Sequence, residues 1–203
     1  MTVSLKYKKY SRLFTLIAFS LLSNLLFAQQ DMDAKVQELL NKMTIEEKAG
    51  QMTQVTIDLI LKDGSNYEID TEKLKHAIVD MHVGSILNVK GHAYSMDTWH
   101  TILEAVQKTA VEATPNHIPI LYGIDAIHGP NYLQGATLFP HNTGMAATRN
   151  TELVKEAAHI TAQQTRASGI TWDFDPVLGL ARQPLWPRFE ETFGEDVYLV
   201  SQM

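Results

Sequence analysis

Three short apolar runs, at 83–89, 120–125 and 170–174, are each followed by a stretch whose apolar residues recur at helical spacing. That alternation limits the chain to few folds. Strands separated by a helix cannot pair as hairpins; they return in the same direction through a crossover and build a parallel sheet buried on both faces. The helical stretches carry the matching stripes: Trp99, Leu103, Val106 and Ala110 in one, and Leu153, Ala157 and Ile160 in the next. Asn150 is placed to cap the latter helix, with Glu152 in its first turn, Arg166 in its last and Gly169 to stop it. Glu195 and Asp196 are expected to open a further helix.

Upstream, Val36, Leu39, Leu40 and Met43 predict a helix from about Asp31. Thr44-Ile45-Glu46-Glu47 has the form of a capping box, and the helix behind it should turn Ile45, Ala49 and Met52 inward. Residues 56–80 give little pattern beyond a turn at Asp63-Gly64-Ser65-Asn66 and a short helix near 77–81.

Two parallel architectures compete: a doubly wound sheet and an eight-stranded barrel. No glycine-rich phosphate loop follows any of the three strands, which disfavours a dinucleotide fold. Polar residues cluster just beyond the strand C-termini, which suits either architecture. A (β/α)8 barrel needs about 250 residues, so the 203 here would hold about its first three strand–helix units. The fold expected is α/β, a partial TIM-type barrel. The helical pattern at Ser201-Gln202-Met203 has no stop signal, so residues 29–203 are expected to be the N-terminal part of a barrel domain incomplete at its C-terminus.

The first 28 residues have a different character. Lys6, Lys8, Lys9 and Arg12 precede an apolar run from Leu13 to Phe27, and Ala28 precedes two glutamines, the pattern of a cleaved secretory signal peptide. A periplasmic or secreted location follows, with no membrane span once the segment is removed. The remainder has 13 basic against 23 acidic residues, a net charge of −10, and nucleic acid is not an expected partner. Cysteine is absent, which excludes disulfides and thiolate chemistry.

Asp125 ends an apolar strand, with His128 and Gly129 just beyond. A carboxylate there can accept hydrogen bonds from neighbouring sugar hydroxyls, or it can pair with a base to hold the loop. A second cluster runs from Arg182 to Asp196 in a loop stiffened by Pro184 and Pro187. Arg188 can fork onto vicinal hydroxyls or a carboxylate, and Trp186 can face a sugar ring or be buried. Glu195 and Asp196 are most simply acids at a helix N-terminus. His128 and His141 share one long loop, the only basis for a metal-dependent barrel hydrolase as an alternative; no close histidine pair supports it.

Long collinear stretches resemble glycoside hydrolase family 3, in its N-terminal barrel domain. They include Met43 to Met52, Ile118 to Gly129, Gly135 to Asn142, Phe174 to Leu178 and Arg182 to Asp196. The resemblance implies a retaining, exo-acting hydrolase of β-linked glucosides or related sugars, of the β-glucosidase type. β-Xylosidase and β-N-acetylhexosaminidase activities of the same family are alternatives. It implies that Asp125 and Arg188 bind hydroxyls of the sugar at the nonreducing end; Glu191, His128 and Trp186 are read as supporting residues. The family's Arg-Asp-Pro-Arg-Trp-Gly-Arg pattern reads Arg182-Gln183-Pro184-Leu185-Trp186-Pro187-Arg188, so it departs at Gln183, Leu185 and Pro187. Glu191 matches an acid of the pattern and is read as the partner that orients Arg188. The mechanism needs two carboxyl groups about 5–5.5 Å apart. In the family both lie downstream of the segment matched here, and Asp173 and Asp175 match neither. No catalytic residue is therefore expected in this chain, which should be inactive without the missing C-terminal part of the same protein. No metal or organic cofactor is implied. A non-catalytic carbohydrate-binding or interaction module is the rival reading.

Overall fold

The computed structural model describes residues 32–203; the signal segment expected at 1–28 lies outside the described residues. The chain divides between Thr44 and Ile45 into two units. In the first, residues 32–42 form helix α1, tied along its surface by Lys42 to Glu38 (2.6 Å) and Gln37 to Asn41 (2.9 Å).

The second unit begins with α2 (Ile45–Gln51), β1 (Gln54–Thr56) and a 3₁₀ turn (Ile57–Ile60). Helix α3 (Thr71–Lys75) runs on through a π turn (His76–Asp80) to β2 (Ser85–Leu87), α4 (Met96–Ala113) and β3 (Leu121–Ile124). Next come α5 (Asn142–Ala147), α6 (Thr151–Ala167), β4 (Trp172–Asp173), a 3₁₀ turn (Phe189–Glu191) and α7 (Val197–Gln202). All strand pairs are parallel, and their order across the sheet is β1-β2-β3-β4, the order of the chain. A doubly wound sheet reverses its order at a switch point, whereas a barrel adds each strand to the last. The arrangement matches part of a TIM-type barrel.

Among the described residues four strands are present where three were expected. β1 escapes a search for apolar runs because only Val55 of Gln54-Val55-Thr56 meets the core; its neighbours on either side are exposed. The inward face of α2 also differs. Glu47 and Gly50 are its buried residues, while Ile45 and Met52 are 72% and 84% exposed. The reason is close approach. A Cβ on Gly50 would lie 2.5 Å from the carbonyl oxygens of both Met81 and His82, and Glu47 accepts a hydrogen bond from Asn116 Nδ2 at 2.9 Å. Helix α6 is rotated from the expected stripe as well: Val154, Ala157, Thr161 and Thr165 are buried and Leu153 is half-exposed.

The core lies between the sheet and the helices that cover it. Ile86, Tyr122 and Ile124 face α4, which contributes Trp99, Ile102 and Val106. Tyr94, Trp99 and Tyr122 form a chain of ring contacts at 5.1 and 5.6 Å. Two bonds from these rings reach loops at the strand C-termini: Trp99 Nε1 donates to Tyr132 O (3.0 Å) and Tyr122 Oη to Asn88 O (2.7 Å). The core thereby fixes the loops that carry the polar residues.

Candidate sugar-binding site at the strand C-termini

Asp125 follows the last residue of β3. Its carboxylate is partly buried, which raises its pKa; the Arg188 guanidinium pulls it back down and Glu191 pushes it up again. Asp125 and the Arg182–Asp196 loop, more than fifty residues apart in sequence, thus lie within electrostatic reach of each other.

Arg188 stands at the start of the 3₁₀ turn Phe189–Glu191. Its Nε donates to Glu191 Oε2 at 2.5 Å, with the two side chains 49% and 23% exposed. The turn is anchored to α5, because Asn142 Nδ2 donates to Glu191 O (2.9 Å) and Thr143 Oγ1 to Glu190 O (3.4 Å). Trp186 lies across Gly179: a Cβ there would sit 2.6 Å from Trp186 Cη2, so this indole is committed to loop packing on that side. His128 packs against His141 with tilted rings, centroids 4.6 Å apart, and its Nδ1 is buried without a hydrogen-bond partner. Among the described residues no group of three or more histidine or acidic side chains converges as a metal site would require.

Two residues that sequence reasoning did not assign to the site, Tyr132 and Asp173, are electrostatically linked to Asp125, and a third, Asp175, is linked to Asp173. Tyr132 packs against the core, and its hydroxyl pKa is raised by burial and by the charges of Asp125 and Glu191. A phenol kept protonated beside two carboxylates is a hydrogen-bond donor. Asp173, on β4, accepts the Ala126 N–H at Oδ1 (2.9 Å) and has its pKa raised by burial and by Asp125. Asp175 is pushed up to about 6 by burial and by Asp173. An aromatic residue seven positions beyond Asp125 was a visible signal for Tyr132; the ties of Asp173 depend on cross-strand register and left none.

A cavity of about 390 Å³ opens among α5, α6 and the loop after β4, lined in part by His128, Asn142, Val154, Asp175 and Phe193. Asp125 and Arg188 do not line it. Asp125, Arg188 and Tyr132 offer a carboxyl acceptor, a guanidinium held by Glu191 and a phenol donor. Such a set can bind vicinal hydroxyls from both sides. Among the described residues no helix is long and apolar enough to cross a membrane.

Residues 44–203 match the family model of the glycosyl hydrolase family 3 N-terminal domain. The chain is 45% identical over 179 residues to a lysosomal beta glucosidase of Dictyostelium discoideum, covering 84% of this chain and 22% of that protein. It is 27% identical to a periplasmic beta-glucosidase of Salmonella typhimurium, covering 92% and 22%. Among solved structures, an exo-1,3/1,4-beta-glucanase from a Pseudoalteromonas species superposes with a TM-score of 0.69 at 33% identity, over 83% of this chain and 21% of that one. The chain spans about a fifth of the length of each of these proteins.

Proposed function

Because the chain belongs to glycosyl hydrolase family 3, in its N-terminal domain, we propose that it supplies the sugar-holding part of a retaining, exo-acting hydrolase of β-linked glucosides. Asp125 accepts from two neighbouring hydroxyls of the terminal glucose, and Arg188, aimed by Glu191, donates to them. What supports this reading is that Asp125 follows the C-terminal end of a parallel strand, where barrels place their sites, and that the charges of Arg188 and Glu191, themselves paired, act on its carboxyl. A site with one cation among several carboxylates suits a neutral sugar better than an anionic one.

Segments beyond residue 203 complete the barrel and bring the nucleophile and the acid/base. The 203 residues alone bind at most weakly and turn nothing over. The leader at 1–28 directs the protein to the periplasm or outside the cell, in keeping with relatives named as periplasmic and lysosomal enzymes. The test is Asp125→Ala in the complete protein, assayed on 4-nitrophenyl β-glucoside. Loss of transition-state contacts of about 1.4 kcal/mol lowers kcat/KM at least ~10-fold. An unchanged kcat/KM would remove Asp125 from the site, and clear turnover by the pure 203-residue chain would overturn the assignment of the chemistry to later segments.

A further inference from the structure

The strand ladder ends just where Asp125 must be aimed. β3 and β4 pair at Gly123 with Trp172 and at Ile124 with Asp173. The Phe174 N–H donates to Ile124 O at 2.9 Å. In a continuing parallel ladder the next amide of β3, that of Ala126, would donate to a main-chain carbonyl of β4. Instead it donates to Oδ1 of the Asp173 side chain, at 2.9 Å. Ala126 is fully buried, so its N–H has no recourse to water.

We infer that Asp173 is a positioning residue for Asp125, an inference that rests on the sugar-binding role proposed for Asp125. The peptide joining Asp125 to Ala126 is planar. Fixing its N–H fixes the plane, hence ψ of Asp125, and with it the direction in which the Asp125 side chain leaves the backbone. Asp173 touches no reacting atom in this scheme. It substitutes a side-chain oxygen for a rung at the point where the β3–β4 ladder ends.

What the role requires is an acceptor oxygen, not a charge. The Asp173 carboxylate is in fact opposed by the charge of Asp125, and it in turn raises the pKa of Asp175. Asparagine keeps an oxygen at the same branch and relieves that repulsion; alanine leaves the Ala126 amide buried and unpaired, a loss on the scale of a hydrogen bond.

The experiment compares Asp173→Ala, Asp173→Asn and Asp125→Ala in the complete protein, with kcat/KM on 4-nitrophenyl β-glucoside and hydrogen exchange at the Ala126 amide. Asp173→Ala is expected to lower kcat/KM about tenfold and to speed exchange at Ala126 while Ile124 in the strand stays protected. Asp173→Asn is expected to restore both, to within about threefold of the unmodified protein. Normal turnover in Asp173→Ala beside a defective Asp125→Ala overturns the inference and leaves the sugar-binding site standing. An Asp173→Asn variant as impaired as Asp173→Ala also overturns it, because the charge or a direct sugar contact would then be what matters. Normal turnover in Asp125→Ala removes the site and this inference together.

Discussion

Replacing Asp175 by asparagine should stabilise the fold near neutral pH and leave it unchanged in acid. Asp175 follows β4 by two residues, its Oδ1 is buried with no hydrogen-bond partner, and it lines the cavity beside α5 and α6. Burial raises its pKa from 3.8 to about 6, Asp173 adds repulsion, and the Asn142 side chain and Val177 N–H only partly offset them. A difference of about two units at ~1.36 kcal/mol each is about 3 kcal/mol. The carboxyl keeps part of its solvent, which screens the effect, and about 1–2 kcal/mol is the working figure. The sign follows from linkage. The folded state binds this proton more tightly than the unfolded chain, so the contribution to stability is fully present below pH 3.8. It is lost as pH rises through about 6. Asparagine is neutral throughout and does not suffer that loss. Urea unfolding of the two proteins at a series of pH values measures the difference. The curves should coincide near pH 3.5 and separate by about 1–2 kcal/mol above pH 7, with Asp175→Asn the more stable. Curves that stay parallel across the whole range would show that the carboxyl titrates normally in the fold and that its burial is wrongly described.

Two glycine substitutions, with a third in open space as control, test the packing of the fold. A Cβ on Gly84 would meet the Gln51 carbonyl oxygen at 2.2 Å and its carbon at 2.7 Å, main-chain atoms that cannot swing aside. Gly84→Ala should therefore cost about 3 kcal/mol in a urea or thermal melt, whereas Gly64→Ala, in open space at φ +78°, should cost about 1 kcal/mol; equal costs would refute the close approach of α2 and β2. Gly179→Ala should push Trp186 from its seat and shift tryptophan emission to the red, and an unchanged spectrum would mean that the indole does not lie across Gly179.

What the sequence makes legible is what depends on neighbours in the chain. Asn150 caps α6 through Glu152 and Leu153, and Asp196 caps α7 through Leu199, as expected from their places before helical stripes. β2 and β3 stand out because both are almost wholly apolar. β1 does not, since its short Gln-Val-Thr segment buries one side chain in part. The orientation of α2 was illegible for a related reason: backbone contact at Gly50 outweighs the pull of Ile45 and Met52, and contact between main chains leaves no hydrophobic signature. In the site, Asp125 could be picked out as a carboxylate terminating an apolar strand. The bond from Ala126 to Asp173 spans 47 residues and exists only because Ile124 and Asp173 share a register.

The departures at Gln183, Leu185 and Pro187 raise the question of what seats Arg188 when the family's local Asp and Arg are missing. Neutral bonds and tertiary contacts take over. Gln183 Oε1 accepts the Leu185 N–H (3.2 Å) and its carbonyl accepts the Trp186 N–H (3.0 Å), forming a turn without charge. Ala181 N donates to Gly194 O (3.0 Å), which draws the two ends of the loop together. Leu185, where the pattern has arginine, points into solvent at 88% exposure and so makes no demand on the loop's course. The final turn is held from outside the loop, by Asn142 and Thr143 on α5. An ion pair on such a surface contributes at most about 1 kcal/mol. Its loss is therefore within reach of the two neutral hydrogen bonds at Gln183 and an anchoring helix, so the turn that begins at Arg188 is held jointly by the loop's own bonds and by α5.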